Sequence, residues 1–211
     1  IGLILIGLWP LAQIYPQAYL FGHGQILPIA SDWLSQWLSM PINLGELLRH
    51  GKQLTVEQYW LSEAVITACG FSGAILVLLF ITKDRAPKVF LALGLFICTV
   101  VVKTLSSALQ FSPENAFVWV TPGAQGGLLL GMVMLSGLIF APPVAQRRVA
   151  VLTLLMSLFV LNVVPANPYF LATLQTWVQG KFLNFNGAAQ FLSLSWPFVA
   201  LWFLLHPMHR Q

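Results

Sequence analysis

Apolar residues in this chain do not recur with the period of a surface helix. They run on in blocks, separated by short segments rich in Pro, Gly and charge. Blocks at about 1–14, 59–81, 89–109, 116–140, 149–164 and 188–205 predict six membrane-crossing helices, since about 20 apolar residues span a hydrocarbon core of roughly 30 Å. Backbone polar groups in lipid must be satisfied within a helix or a closed barrel. The predicted fold class is therefore all-α: a polytopic transmembrane helical bundle, with 1–211 as a single domain. Pro10 bends or ends the first block. Thr55 and Gln58 have the spacing of a capping box before the second. Pro122 either kinks the fourth or starts its main helix, Pro165 and Pro168 stop the fifth, and Pro197 lies inside the sixth.

Two segments are too polar to span and are expected along the outer membrane surface. In 31–40, Trp33, Leu34, Trp37 and Leu38 share one helical face, while Ser31, Asp32, Ser35, Gln36 and Ser39 take the other. That pattern suits an interfacial helix with Trp at headgroup level, or a helix packed on its own protein. The second segment, 169–187, alternates aromatic and polar residues, Trp177 among them.

Composition supports the same class. The chain is 58% hydrophobic and 8% charged, against roughly 25% charged in soluble domains, so it lacks the polar surface to face water. Its opening, apolar and without a basic leader, predicts a span whose beginning lies upstream. Cys69 and Cys98 fall inside apolar blocks and read as small core residues. Membrane lipids and other membrane subunits are the expected partners. Nucleic acid, cofactor and metal are not expected.

Basic residues set the expected orientation. Lys83, Arg85, Lys88, Arg147, Arg148 and Arg210 fall at one face, against Arg49, Lys52 and Lys181 at the other. This places the short basic loops and the C-terminus in the cytoplasm of a bacterial plasma membrane, with the larger loops outside. A weak parallel repeat is also visible. Gly123-Ala124-Gln125 and Gly187-Ala188-Ala189-Gln190 each follow a basic loop, a span and a Pro-containing turn.

Charge inside the apolar blocks is the sharpest chemical signal, because it costs at least ~2.5–3.5 kcal/mol at mid-bilayer. Glu63 and Lys103 lie at similar depths below the outer ends of two spans. They predict a buried ion pair, a lysine that reaches alone to the surface, or a ligand or proton site. Gln125, Asn162 and Gln190 sit toward the outer ends of three further spans, as interhelical hydrogen-bonding groups or as the lining of an outward cleft with Glu63 and Lys103. Gly123, Gly127 and Gly131 share one face, where a third or fifth span, or another subunit, approaches closely. His23, His50, His206 and His209 fall in loops or at helix ends, none buried mid-span. Phosphate loops, nucleophile elbows and zinc-protease motifs are absent from the sequence.

Several short segments carry a resemblance. Trp9-Pro10-Leu11-Ala12-Gln13 with Tyr15-Pro16, Leu20-Phe21-Gly22-His23-Gly24, Trp119-Val120-Thr121-Pro122-Gly123-Ala124 with Gly127 and Gly131, and Phe185-Asn186-Gly187-Ala188-Ala189-Gln190 with Trp196-Pro197 resemble the C-terminal portion of longer VanZ-like membrane proteins. The resemblance implies a cell-envelope protein linked to glycopeptide-antibiotic resistance and carries no catalytic residues. The leading expectation is a non-catalytic membrane protein, either an accessory subunit of a larger complex or a VanZ-like envelope protein. The alternative is a transporter or flippase for an amphipathic lipid-linked substrate.

Overall fold

The computed structural model describes residues 2–83, 85–166 and 183–206. Among them the ordered elements are helical: α1 (Gly2–Ala12), α2 (Leu27–Leu38), α3 (Leu44–Leu48), α4 (Val56–Ile81), α5 (Lys88–Phe111), a 3-10 turn at Pro113–Asn115, α6 (Pro122–Leu138), α7 (Pro143–Val163) and α8 (Leu183–Leu205). Four helices are long and apolar enough to cross a membrane: α4, α5, α7, and α8 from Gly187. Two shorter apolar helices, α1 with 11 residues and α6 with 17, stand where the first and fourth spans are expected.

Several boundaries move for identifiable reasons. The capping box forms as predicted and starts α4, with Thr55 N–H donating to Gln58 Oε1 at 3.0 Å and Gln58 N–H to Thr55 Oγ1 at 3.3 Å. Pro122 starts α6 rather than kinking it. Thr121 caps the helix by accepting the Ala124 N–H at 3.1 Å, and the residues before it are spent on turns. Pro143 likewise opens α7 ahead of the expected start at 149, so Arg147 and Arg148 are helical rather than in a loop. Pro10 sits inside α1, which ends two residues later. Gly123 follows the start of α6 directly, whereas Gly187 lies a full turn inside α8, so the two repeat segments occupy different places in their helices. The interfacial segment expected at 169–187 lies outside the described residues, apart from its last few in α8.

The short helix α2 turns Ser31 and Ser35 inward, while Asp32, Gln36 and Ser39 are exposed. Ser31 Oγ accepts the Leu44 N–H at 3.0 Å, Ser35 Oγ accepts that of Ile42 at 2.8 Å, and Trp33 and Trp37 stack on each other, both exposed. Among the described residues the tryptophan face does not pack on its own protein.

At the centre stands α4, with 72% of its spanning window buried against 17% for α5 at the periphery. The glycine face of α6 packs against α4, not against the third or fifth span. A Cβ on Gly127 would stand 2.6 Å from the Ala64 carbonyl and from Thr67 Cβ, and one on Gly131 would stand 2.7 Å from the Phe71 ring. The core continues through Trp9, Phe21 and Trp196, with ring centroids of Trp9 at 5.1 and 6.2 Å from the other two. Trp196 Nε1–H also bonds the Leu5 carbonyl at 2.9 Å, tying α8 to α1.

Lys83 and Arg85 lie in the α4–α5 connection, Lys88 opens α5, and Arg147 and Arg148 lie near the start of α7. There Arg147 Nε–H donates to the Leu204 carbonyl at the end of α8, and Gln146 donates to the Leu138 carbonyl at 3.0 Å at the end of α6. These side chains satisfy carbonyls that a helix end leaves unpaired.

The glycine face yields a direct test. Gly127→Leu should lower stability by about 1–3 kcal/mol through overpacking, read as a fall in melting temperature in detergent. Gly126→Ala, whose added Cβ would stand 4.0 Å from Ala64 Cβ, should stay within about 0.5 kcal/mol of the parent.

Candidate functional site: a buried polar chamber

In α5, Thr99, Lys103, Ser106, Ser107 and Gln110 are buried, and their spacing puts them on one face of the helix. The opposite side exposes Phe90, Ile97, Val101, Leu105 and Leu109. The helix is thus amphipathic with its polar side turned into the protein. That arrangement suits a membrane, where an outward polar face would be unsatisfied.

The stripe meets the connection between α1 and α2. Ile14 presents its carbonyl just past the end of α1, and Ser106 Oγ–H and the Gln110 amide donate to it at 2.7 and 2.6 Å. The chain then turns inward and buries Tyr19, Leu20, Phe21 and His23. His23 lies in a connection between helices, as the sequence places it, and is buried there. His23 stacks at 6.0 Å from Trp196 and lies among Gln13, Gln17 and Ser193. The Gln17 amide N–H reaches both His23 Nδ1, at 2.6 Å, and Ser193 Oγ. This makes Nδ1 an acceptor, so in the neutral ring Nε2 carries the proton. The Gln13 amide nitrogen lies against Nε2 and its Oε1 is buried without a partner, so exchanging the two ends of that amide would let the oxygen accept from Nε2–H. Burial, reinforced by the Lys103 ammonium, pushes the His23 pKa down to about 3.

Beside this cluster is a cavity of about 50 Å³, lined by Gln17, Glu63, Lys103, Ser106, Ser107, Gln110 and Thr121, with Phe111 and Trp119 among its apolar walls. One water needs roughly 10–15 Å³, so the space admits several waters or a compact polar group. Thr121 serves two roles: while capping α6 it donates its hydroxyl to Glu63 Oε1 at 2.6 Å.

Glu63 and Lys103, singled out from sequence, therefore line one cavity. They do not form the direct ion pair: the carboxylate is held by Thr121, and among the described residues Lys103 forms no hydrogen bond or ion pair. Lys103 does not reach the surface either, being 5% exposed. The other three candidates lie outside the cavity. Gln125 and Gln190 are exposed. Asn162 is a structural clamp: its Oδ1 accepts the N–H groups of Ile26 and Leu27 at 2.8 and 2.9 Å, and its Nδ2 donates to the carbonyls of Gly24 and Leu158 at 3.0 and 2.8 Å. Gly123 belongs to the site as well as to the packing, because a Cβ there would stand 2.8 Å from Glu63 Cβ.

Sequence reasoning missed His23, Gln13, Gln17, Ser107, Gln110, Thr121 and Ser193. The helical spacing of 99, 103, 106, 107 and 110 was the available signal for the α5 members. Among the described residues no three His, Cys, Asp or Glu side chains converge, so the chamber offers hydrogen bonds and charge rather than a ligand set for a metal. Comparison with family models, curated proteins and solved structures finds no match.

The neutral histidine makes stability pH-dependent. An unfolded histidine takes up its proton near 6.5, the folded one only near 3. The contribution is therefore complete above the first value and is lost progressively as pH falls below it. Melting temperature in detergent should drop from about pH 7 to about pH 5, more steeply in the parent than in His23→Gln.

Proposed function

We propose that this protein is a non-catalytic integral membrane protein that takes the polar end of an amphipathic, lipid-linked molecule into the chamber, as a transporter or flippase does. One observation carries the reading: Lys103 is buried in an apolar helix, lines a cavity, and has no acceptor among the described residues. A buried lysine whose only role was packing would be expected to find a partner, because an uncompensated interior charge costs several kcal/mol. In this reading α1 and α6 also cross or enter the bilayer, giving six membrane segments. The basic end faces the cytoplasm of a bacterial plasma membrane, the chamber lies toward the outer surface, and Trp33 and Trp37 rest at the outer interface.

A VanZ-like envelope role is compatible with the same site. Segments that carry the resemblance supply Gln13, His23, Thr121 and Gly123 around the chamber, so such a role would act through these residues. An accessory subunit needs no chamber of this kind.

Two measurements test the reading. Gentle purification followed by mass spectrometry should find about one lipid-like amphiphile per chain, displaced by Lys103→Met. A stoichiometric second membrane protein with no retained amphiphile would replace this reading with the accessory-subunit one. For orientation, a cysteine introduced at Asn115 in a Cys69 and Cys98-free background should label from outside the cell. One at Arg85 should label only after permeabilisation, and the reverse pattern would invert the topology.

A further inference from the structure

The chamber holds a separated pair of opposite charges together with unmatched donors and acceptors. Lys103 and Ser107, one turn apart on α5, have no hydrogen bond among the described residues. Both are donors, and together they suit an anionic oxygen. Acceptors stand around the same cavity. Glu63 gives one oxygen to Thr121 and has no hydrogen bond to the other. The side-chain Oε1 atoms of Gln17 and Gln110 are buried without partners.

This set discriminates between ligand charges. A diphosphate or other polyanion would bring extra negative charge against Glu63, and a simple cation would face Lys103. In a poorly hydrated site either mismatch is costly. A group carrying one anion and one ammonium compensates both side chains at once. The free Glu63 oxygen further suits a primary ammonium, which offers N–H donors, over a quaternary one, which offers none.

We infer that the chamber receives a compact, net-neutral headgroup, its anionic end on Lys103 and Ser107 and its primary ammonium on Glu63, borne by a phospholipid of the phosphatidylethanolamine type. The lipid source follows from location. The helix α5 walls the chamber with its polar face and is apolar and exposed on its other side, so a surface that lipid would cover lies one helix away. This inference rests on the ligand-handling reading above and narrows it to one headgroup chemistry.

The test uses the full chain in neutral-detergent micelles. Melting temperature is followed with added phosphatidylethanolamine, phosphatidylcholine or phosphatidylglycerol, and separately with soluble O-phosphoethanolamine or alanine. Phosphatidylethanolamine should raise it by about 5 °C at saturation, with clearly smaller shifts for the other two lipids. Glu63→Gln and Lys103→Met should each remove the difference between lipids. Because the panel on the unaltered protein already separates the lipids, the test stands even where a variant fails to fold. A larger shift with phosphatidylglycerol, or an equal one with phosphatidylcholine, would overturn the headgroup assignment while leaving lipid handling intact. A rise with the soluble zwitterions and none with phosphatidylethanolamine would overturn the lipid source. No shift with any lipid, together with no retained amphiphile on purification, would remove the underlying reading as well.

Discussion

The close approach of α6 to α4 is the constraint on which the rest of the molecule depends. It is possible only because Gly123, Gly127 and Gly131 present bare backbone to Glu63, Thr67 and Phe71. In lipid there is no hydrophobic drive between helices, so association relies on such packing and on interhelical hydrogen bonds. Here the two coincide. The contact that lets the backbones meet also sets Thr121, the cap of α6, against the Glu63 carboxylate. A larger residue at 123 would displace the carboxylate itself, so packing and site chemistry cannot be altered separately at that position.

Around this contact each polar group is held by a backbone group that a helix end or a turn leaves over. Ile14 offers a carbonyl past the end of α1 and receives Ser106 and Gln110. Pro165 offers one past the end of α7 and receives the Tyr19 hydroxyl at 2.6 Å, and Val163 receives Arg49 at 2.6 Å. Thr67 bonds the carbonyl of Leu20 at 3.3 Å. The inward-turning connection between α1 and α2 is thus held at Ile14 and Leu20 by side chains from α5 and α4. Without them its free carbonyls would be buried and unpaired, at about 1–3 kcal/mol each.

The helical class was legible because block length and low charge leave few alternatives, and helix starts were legible where Thr55 and Thr121 carry capping chemistry. Helix lengths were less so. Apolar residues continue past the end of the helix in 1–14 and precede its start in 116–140, and composition alone does not mark where a turn interrupts them. Glu63 and Lys103 were legible as charges in apolar runs, and their shared cavity agrees with depths read from sequence. Their failure to pair directly was not legible, since depth along two helices says nothing about rotation around them or about a competing donor such as Thr121. His23 was missed for a related reason. A histidine between two glycines has the local signature of a loop, and only tertiary structure brings Gln13, Gln17 and Ser193 around it.

The two polar clusters differ in a way that bears on what each can do. Around His23 the groups engage one another: the Gln17 amide on Nδ1, the Gln13 amide on Nε2, and a serine hydroxyl shared between Gln17 and the ring. Such a network holds the path of the connection. Around Glu63 and Lys103 the groups do not engage one another. Lys103 and Ser107 on α5 are donors without acceptors, and Glu63 on α4 keeps one oxygen free, all on one cavity. Had selection acted only to hold these helices together, a direct Glu63–Lys103 pair or an apolar replacement would serve as well or better. Keeping both charges, unpaired and facing one space, is the arrangement expected where a third party completes the bonding.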